Sequence, residues 1–275
     1  MIESSLPFQS LNRSDIHNYH HLVILYDEVI YLKDKKYDLV WYFLCIFLVL
    51  LSCVIGNSHR LLSNINNDCG DTVGVVAEDC KIPPVVILDA GHGGEDPGAV
   101  GVDGTLEKDI NLIISYKIAD YLRLSGIKTV MTRTDDRLLY DPSVNVKGKK
   151  KLYDLKNRYL ISCQYENSVF VSIHMNKYTD SKYKGLQVYY SSNDISSADL
   201  ASQIQEIVRE YLQNENNRQI KEGNGIYLLE RISTPAVLVE CGFLSNSEDC
   251  HNLCDDEYTS KIAFLISYAI MKNIC

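Results

Sequence analysis

From Pro83 onwards the sequence alternates short apolar runs with longer amphipathic stretches, and this alternation restricts the fold more than any other feature. The apolar runs have the length of buried strands, and the amphipathic stretches have the apolar spacing of helices. The predicted strands are VVILDA (85–90), IKTVMTR (127–133), SVFVSIH (168–174), LQVYY (186–190) and PAVLVECGF (235–243). This order predicts an α/β fold: a single domain with a mostly parallel sheet flanked by helices on both faces.

Three stretches are predicted to form helices that cover this sheet. The first occupies residues 106–125, between a candidate N-cap at Thr105 and a terminating Gly126. The other two occupy residues 197–213 and 259–273, and each places its large apolar side chains on one stripe. Such stripes are typical of helices that pack against a sheet.

An uncharged apolar run extends from Leu39 to Ile55, before the predicted domain. A helix of this length is about 26 Å long, which is enough to cross the hydrocarbon core of a bilayer. Lysines precede the run and few follow it closely, so the positive-inside rule predicts one N-terminal transmembrane helix at 37–56, with the downstream chain outside the cytoplasm. A cleaved signal peptide, or a lipoprotein signal with Cys53 as the acylated residue, are the alternatives.

The predicted anchor divides the remaining chain into three segments. Residues 1–36 form an N-terminal extension, explained equally by a cytoplasmic tail or a mis-assigned start codon. Residues 57–82 are rich in Asn, Asp and Ser and are predicted to be a linker. Residues 83–275 are the predicted α/β domain. The formal net charge of −9 argues against a nucleic-acid partner, because phosphate backbones repel acidic chains.

Four side chains in the predicted domain stand where open α/β sheets build their sites. His92 follows the first strand in a glycine loop, and His174 and Glu240 end two later strands. Glu107 falls in the first turn of the helix after the glycine loop. Two imidazoles and one carboxylate are a known catalytic zinc set with one open coordination position, and a second carboxylate can then transfer protons.

Position alone leaves structural roles without any chemistry open for these residues. A single histidine or glutamate at a strand end is usually structural or exposed, and Glu107 alone suits the positive end of a helix dipole. Cys241 beside Glu240 suggests a thiol nucleophile, but such a nucleophile needs a base, and the candidate histidines are already explained by the zinc set. Cys250, His251 and Cys254 are too few for a complete metal site, and none of the nine cysteines belongs to a pair of CxxC motifs.

Four motifs, in this order, resemble the amidase-3 family of zinc-dependent N-acetylmuramoyl-L-alanine amidases. They are ILDAGHGGEDPGAVG, LEKDINL, FVSIHMN and PAVLVECGFLSNSED, and the resemblance covers about residues 84–274. It implies Zn²⁺ ligation by His92, Glu107 and His174, and Glu240 as the catalytic residue. Met175 departs from the small residue that the family usually has there.

The resemblance also implies a reaction and a substrate. Peptidoglycan would be hydrolysed at the amide between the lactyl group of N-acetylmuramic acid and L-alanine, with Glu240 passing a proton to the leaving nitrogen. Arg158 matches an arginine common in the family, with a structural or a substrate-positioning role. Asp89 is either a partner of a ligand imidazole or a plain strand-end residue.

The absence of wall-binding repeats from this sequence makes it resemble the sporulation-specific members of the family. Those members strip peptides from spore cortex so that muramic-δ-lactam can form. The expected location is therefore a membrane-anchored protein with its catalytic domain on the cell-wall side or in the forespore intermembrane space. Vegetative wall turnover, cell separation, another zinc peptidase of the wall and an inactive wall-binding module are the alternatives. No protein partner is identified.

Overall fold

The structure, a computed structural model, describes residues 83–141, 143 and 148–274. The predicted segments before residue 83, including the membrane anchor at 37–56, lie outside the described residues. None of the helices within the described part has the length and apolar composition needed to cross a membrane.

The described residues form six strands and five helices. The strands are β1 (Val85–Ala90), β2 (Thr129–Met131), β3 (Ser168–Asn176), β4 (Gln187–Tyr190), β5 (Lys221–Glu222) and β6 (Ala236–Phe243). The helices are α1 (Glu107–Leu124), α2 (Lys150–Ser162), α3 (Ser196–Tyr211), α4 (Ser247–Cys254) and α5 (Asp256–Ile274). All five strands predicted from the sequence are present, and β5 was not predicted.

The strands form one sheet in the order β2-β1-β3-β6-β4-β5. All neighbouring pairs are parallel except β4 and β6, which are antiparallel. The exception has a simple cause. Only residues 177–186 connect β3 to β4, and this connection is too short for the crossover that a parallel strand requires. The prediction of a mostly parallel sheet is confirmed.

Side chains of the strands alternate between two apolar clusters, one on each face of the sheet. The first face includes Leu88, Val171 and Val239 and is covered by α1, α3, α4 and α5. The second face includes Ile87 and Phe170 and is covered by side chains of α2 and by residues 226–232. Helices therefore lie on both faces as predicted, but the second face has only one of them. The candidate site lies on this second face, toward the carboxyl ends of the strands.

Helix boundaries differ from the sequence prediction at several points. Helix α1 begins after Leu106, which makes no side-chain cap, so the predicted N-cap at Thr105 is wrong. Gly126, with φ of 79°, follows the end of the helix as predicted. Helices α2 and α4 were not predicted. The buried residues of α2 are Asp154, Arg158 and Ser162, so this helix lacks the apolar stripe by which helices are found in sequences.

Candidate functional site

The glycine loop after β1 brings the first candidate residue to the edge of the sheet. His92 has φ of 59°, and among the described residues it is the only non-glycine with positive φ. Gly91 lies directly under the ring of His174, because a Cβ at position 91 would come within 2.3 Å of two atoms of that ring. The missing side chain at Gly91 therefore lets the two imidazoles approach each other, with ring centroids 4.9 Å apart.

Three of the predicted residues converge on one point. His92 Nε2 lies 3.2 Å and His174 Nδ1 lies 2.9 Å from the same oxygen, Oε1 of Glu107. Potential ligand atoms of the three residues all lie within 4.8 Å of one another, and no other group of three such side chains meets this condition among the described residues. The geometry makes this cluster a candidate metal centre.

Glu107 is fixed by backbone amides as well as by the two histidines. The amide of Ala99 donates to Oε2 at 2.7 Å, and the amide of Met175 donates to Oε1 at 3.0 Å. Burial favours the protonated form, but hydrogen bonds with His174 and His92 outweigh it and hold the pKa of Glu107 well below its usual range. The residue is therefore an anionic ligand candidate and not an exposed helix-dipole residue.

His92 has a second carboxylate on its other ring nitrogen. Nδ1 of His92 lies 2.9 Å from Oδ2 of Asp96, which also accepts a hydrogen bond from the amide of Gly98 through Oδ1. A carboxylate on Nδ1 fixes the ring orientation and leaves Nε2 free to face the cluster. Asp96 was missed in the sequence, although its place in the glycine loop, four residues after His92, was a usable signal.

Glu240 lies beside this cluster on β6. It is the register partner of His174, so both side chains emerge on the second face of the sheet. Burial raises the pKa of the Glu240 carboxyl to about 7, opposed by the nearby histidines and reinforced by Glu107. Its Oε2 atom is buried and has no hydrogen-bond partner among the described residues. An acid of this kind, near neutrality and without a partner, is suited to proton transfer.

Two buried arginines support the backbone under the site. Arg158 contacts Asp89 at 2.6 Å and Asp154 at 2.8 Å, and its Nη2 donates to the carbonyl of His92 at 2.7 Å. Arg133 donates to the carbonyls of Ala90, Gly91 and Lys108. Arg158 is 1% exposed, which favours the structural role over substrate positioning. Arg133 was missed because a strand-end arginine carries no sequence signal of burial.

Asp89 is a structural residue of the same network. Its carboxylate accepts hydrogen bonds from Thr132 at 2.7 Å and Ser172 at 2.6 Å, besides the contact with Arg158. No hydrogen bond joins it to either ligand imidazole within the described chain. The alternative that made Asp89 a partner of an imidazole is therefore wrong, and Asp96 has that place.

The cysteines within residues 83–274 take no part in this cluster. Cys241 follows Glu240 and so points to the opposite face, where it is fully buried in the first apolar cluster. Burial raises the pKa of the Cys241 thiol far above its usual range, which excludes a thiolate nucleophile there. Cys250 and Cys254 on α4 contact Asp103, and both are free thiols.

Comparisons with known proteins identify the family of this domain. A profile of the amidase-3 family, N-acetylmuramoyl-L-alanine amidase, matches residues 86–272. The germination-specific N-acetylmuramoyl-L-alanine amidase of Bacillus subtilis is 34% identical over 188 residues, covering 68% of this chain and 78% of that protein.

Two solved structures resemble the described domain. The CwlD amidase of Clostridioides difficile, solved in complex with the GerS lipoprotein, is 43% identical with a TM-score of 0.67, and the match covers 69% of this chain and 98% of that one. The catalytic domain of CwlV, an N-acetylmuramoyl-L-alanine amidase of Bacillus (Paenibacillus) polymyxa, is 30% identical with a TM-score of 0.57, covering 69% and 97%. The chain therefore belongs to the amidase-3 family and is an N-acetylmuramoyl-L-alanine amidase that acts on peptidoglycan.

Proposed function

We propose that this amidase is zinc-dependent, with His92, Glu107 and His174 as the metal ligands and Glu240 as the catalytic proton carrier. The observation that carries this proposal is the convergence of two imidazole nitrogens on one carboxylate oxygen, beside a buried carboxyl that has no partner among the described residues. The reaction is hydrolysis of the amide between the lactyl group of N-acetylmuramic acid and L-alanine.

The three side chains fit a zinc ion. Ligand atoms about 2.0–2.1 Å from a tetrahedral zinc are about 3.3 Å apart, a value set by geometry alone. The separations of 3.2 Å and 2.9 Å from Glu107 Oε1 are close to it. Two histidines and one glutamate are also a ligand set of catalytic zinc sites, which keep a fourth position for water or substrate.

Residues of this chain account for the proton movements. A zinc ion held there supplies Lewis-acid polarisation of the lactyl carbonyl and lowers the pKa of water. Glu240, as a carboxylate, accepts a proton from the attacking water and donates it to the L-alanine nitrogen as the amide breaks. Its pKa of about 7 suits both steps, because a group near the operating pH accepts and releases protons with similar ease.

Substitution of single residues separates the two roles. Glu240→Gln should retain zinc but lose hydrolysis of purified peptidoglycan by about 10²- to 10⁴-fold, the usual contribution of a general acid–base. His174→Ala should lose both zinc and activity. Elemental analysis measures the zinc content, and the release of free L-alanine amino termini measures hydrolysis. The control for the loss of a carboxylate is Glu206→Gln, at an exposed position on α3. Hydrolysis by Glu240→Gln at the wild-type rate would refute its role.

We also propose that the enzyme acts in sporulation, removing stem peptides from cortex muramic acid before muramic-δ-lactam forms. The similarity to a germination-specific amidase and to the CwlD amidase supports this role. Deletion of the gene in its own bacterium should give spores whose cortex lacks muramic-δ-lactam, measured by mass spectrometry of muropeptides. Chained vegetative cells with normal cortex would instead indicate a role in cell separation.

The location follows from the substrate. Peptidoglycan lies outside the cytoplasm, and we propose that residues 37–56 anchor the domain at 83–275 to the outer face of the membrane through the linker at 57–82. Fractionation of cells with an antibody to the domain, with and without residues 37–56, tests this proposal. The structurally similar CwlD amidase was solved in complex with the GerS lipoprotein. On that basis we propose a lipoprotein partner for this chain.

A further inference from the structure

A row of polar side chains extends the site across the sheet. His174 on β3, Glu240 on β6 and Gln187 on β4 are consecutive register partners, so their side chains lie on the same face. The Nη1 atom of Arg218, in the segment between α3 and β5, donates to Gln187 Oε1 at 3.1 Å. Arg218 therefore stands at the end of a row that begins at the candidate metal centre.

The guanidinium of Arg218 is held in one orientation. Its Nε donates to the carbonyl of Lys184 at 2.9 Å, and its plane lies over the ring of Phe243, with Cζ 4.4 Å from the ring centroid. The ring of Tyr183 lies 5.6 Å away. An arginine fixed by hydrogen bonds and by aromatic rings loses little entropy when it binds a ligand.

Arg218 has no carboxylate partner among the described residues, although it lies in a charged neighbourhood. Nearby Lys184 is paired with Glu248 at 2.9 Å and with Glu215 at 3.8 Å. The Nη2 atom of Arg218 makes no hydrogen bond within the described part of the chain, so the Nη1–Nη2 edge of the guanidinium has donors left for a ligand. This edge is the one that binds carboxylates with two parallel hydrogen bonds.

Distance and charge identify which part of the substrate suits this arginine. Tyr189 lies on the same face of β4 as Gln187. Burial raises the pKa of Tyr189, Glu240 adds to this rise and Arg218 opposes it. Adjacent strands are about 4.8 Å apart, which places the guanidinium on the order of 10 Å from Glu240. An extended peptide covers this distance in about three residues. The glycan with its lactyl group in amide linkage is uncharged, whereas the stem peptide carries free carboxylates.

We propose that Arg218 is a specificity-determining residue that binds a carboxylate of the stem peptide beyond L-alanine. The inference rests on the proposed amidase site, because it uses the position of the scissile amide beside Glu240. Arg218 contacts the substrate through its Nη1–Nη2 edge, while Gln187 and Phe243 hold the guanidinium at the end of the row.

The test compares ligands that differ by one charge. The ligands are the peptide L-alanyl-γ-D-glutamyl-diaminopimelic acid with free carboxylates and versions with one carboxylate amidated, together with the corresponding muramoyl substrates. Full-length protein, its Arg218→Gln variant and its Arg218→Lys variant are compared by calorimetry for peptide Kd and by product release for KM and kcat. Arg231→Gln is the matched control, since Arg231 also stacks on a tyrosine, Tyr227, but is paired with Glu230.

Arg218→Gln should raise Kd and KM for the free-carboxylate ligand roughly 10- to 100-fold, the contribution of hydrogen bonds to a charged group, with kcat nearly unchanged. The version whose amidated carboxylate is the one that Arg218 binds should bind wild type and Arg218→Gln equally well. Arg218→Lys should have intermediate Kd and KM, because lysine keeps the positive charge but lacks the two parallel N–H donors of the guanidinium. Equal weakening of every ligand, or of none, would overturn the proposal. Wild-type protein that binds these peptides but cleaves no muramoyl substrate would count against the amidase site instead.

Discussion

Two glutamates of the site illustrate how the surroundings of a residue determine its chemistry. Glu107 is buried and Glu240 is partly buried, and burial alone raises the pKa of a carboxyl group. Histidines and backbone amides donate to Glu107, and its pKa falls. No described group donates to Glu240 Oε2, and its pKa rises to about 7. The same side chain is thus suited to bind a cation in one place and to transfer protons in the other.

At the residue scale, Gly91→Ala should prevent the close approach of the His92 and His174 rings. The new Cβ would lie 2.3 Å from the ring of His174, so this ring must leave the position in which it contacts Glu107. Zinc content should fall together with activity while the fold remains, as measured by elemental analysis and circular dichroism.

A matched control for this substitution is Gly223→Ala. Its new Cβ would lie 2.4 Å from Leu229, a side chain of the second apolar cluster and not of the site. This variant should change stability and leave zinc content intact. If both variants retained zinc equally, the close approach at Gly91 would have no part in building the site.

At the scale of elements, α2 acts through its charged residues. Arg158 joins this helix to Asp89 on β1 and to the carbonyl of His92. Arg158→Met should lower the free energy of unfolding by about 3–5 kcal/mol, because it leaves buried carboxylates without their partner. Denaturant unfolding measures this loss. Exposed Arg123→Met on α1 is the control and should change stability by less than about 0.5 kcal/mol.

The same network predicts how stability depends on acidity. Burial alone would raise the pKa of Asp89, but Arg158, Ser172 and Thr132 outweigh it and lower the pKa below its usual value. A group with a lowered folded pKa contributes stability above its unfolded pKa of about 3.9, and this contribution is lost as the pH falls through the folded pKa. Unfolding midpoints should therefore decrease below about pH 4.

The variant Asp89→Asn isolates this effect, since it removes the titrating group. Its stability at neutral pH should be lower than that of the wild type, and its further loss between about pH 4 and pH 2 should be smaller. Parallel slopes for the two proteins over this range would show that Asp89 does not control the acid sensitivity.

At the scale of the whole molecule, zinc should stabilise the fold. The proposed ligands come from the β1–α1 loop, α1 and β3, so an ion binds only when these elements are assembled. Free zinc at about 100 times its Kd contributes about 2.7 kcal/mol. For a domain of this size the increase in Tm is then roughly 5–10 °C.

Chelation should reverse this increase, as measured by thermal unfolding with and without a chelator. His92→Ala should have the same Tm in both conditions, because one ligand is missing. A wild-type Tm that does not respond to zinc or to chelation would contradict the proposed centre.

The sequence by itself determined the architecture. Apolar runs and amphipathic stretches alternate, and burial of both kinds of surface requires a sheet covered by helices. It also placed His92, His174 and Glu240 toward the carboxyl-terminal edge of the sheet, although β3 and β6 continue past His174 and Glu240 to Asn176 and Phe243. Helix α2 escaped prediction because its buried side chains are polar and two of the three are charged, and only a folded chain has the partners that stabilise such charges.

Only the tertiary structure decided which side chains meet. The antiparallel β4 depends on the short connection after β3, and it brings Gln187 next to Glu240 and Arg218 next to Gln187. The choice of Asp96 over Asp89 as the partner of His92 depends on the turn of the glycine loop. Contacts between residues far apart in the chain are fixed by how strands and loops pack, and this packing is a property of the assembled sheet that no local pattern of residues contains.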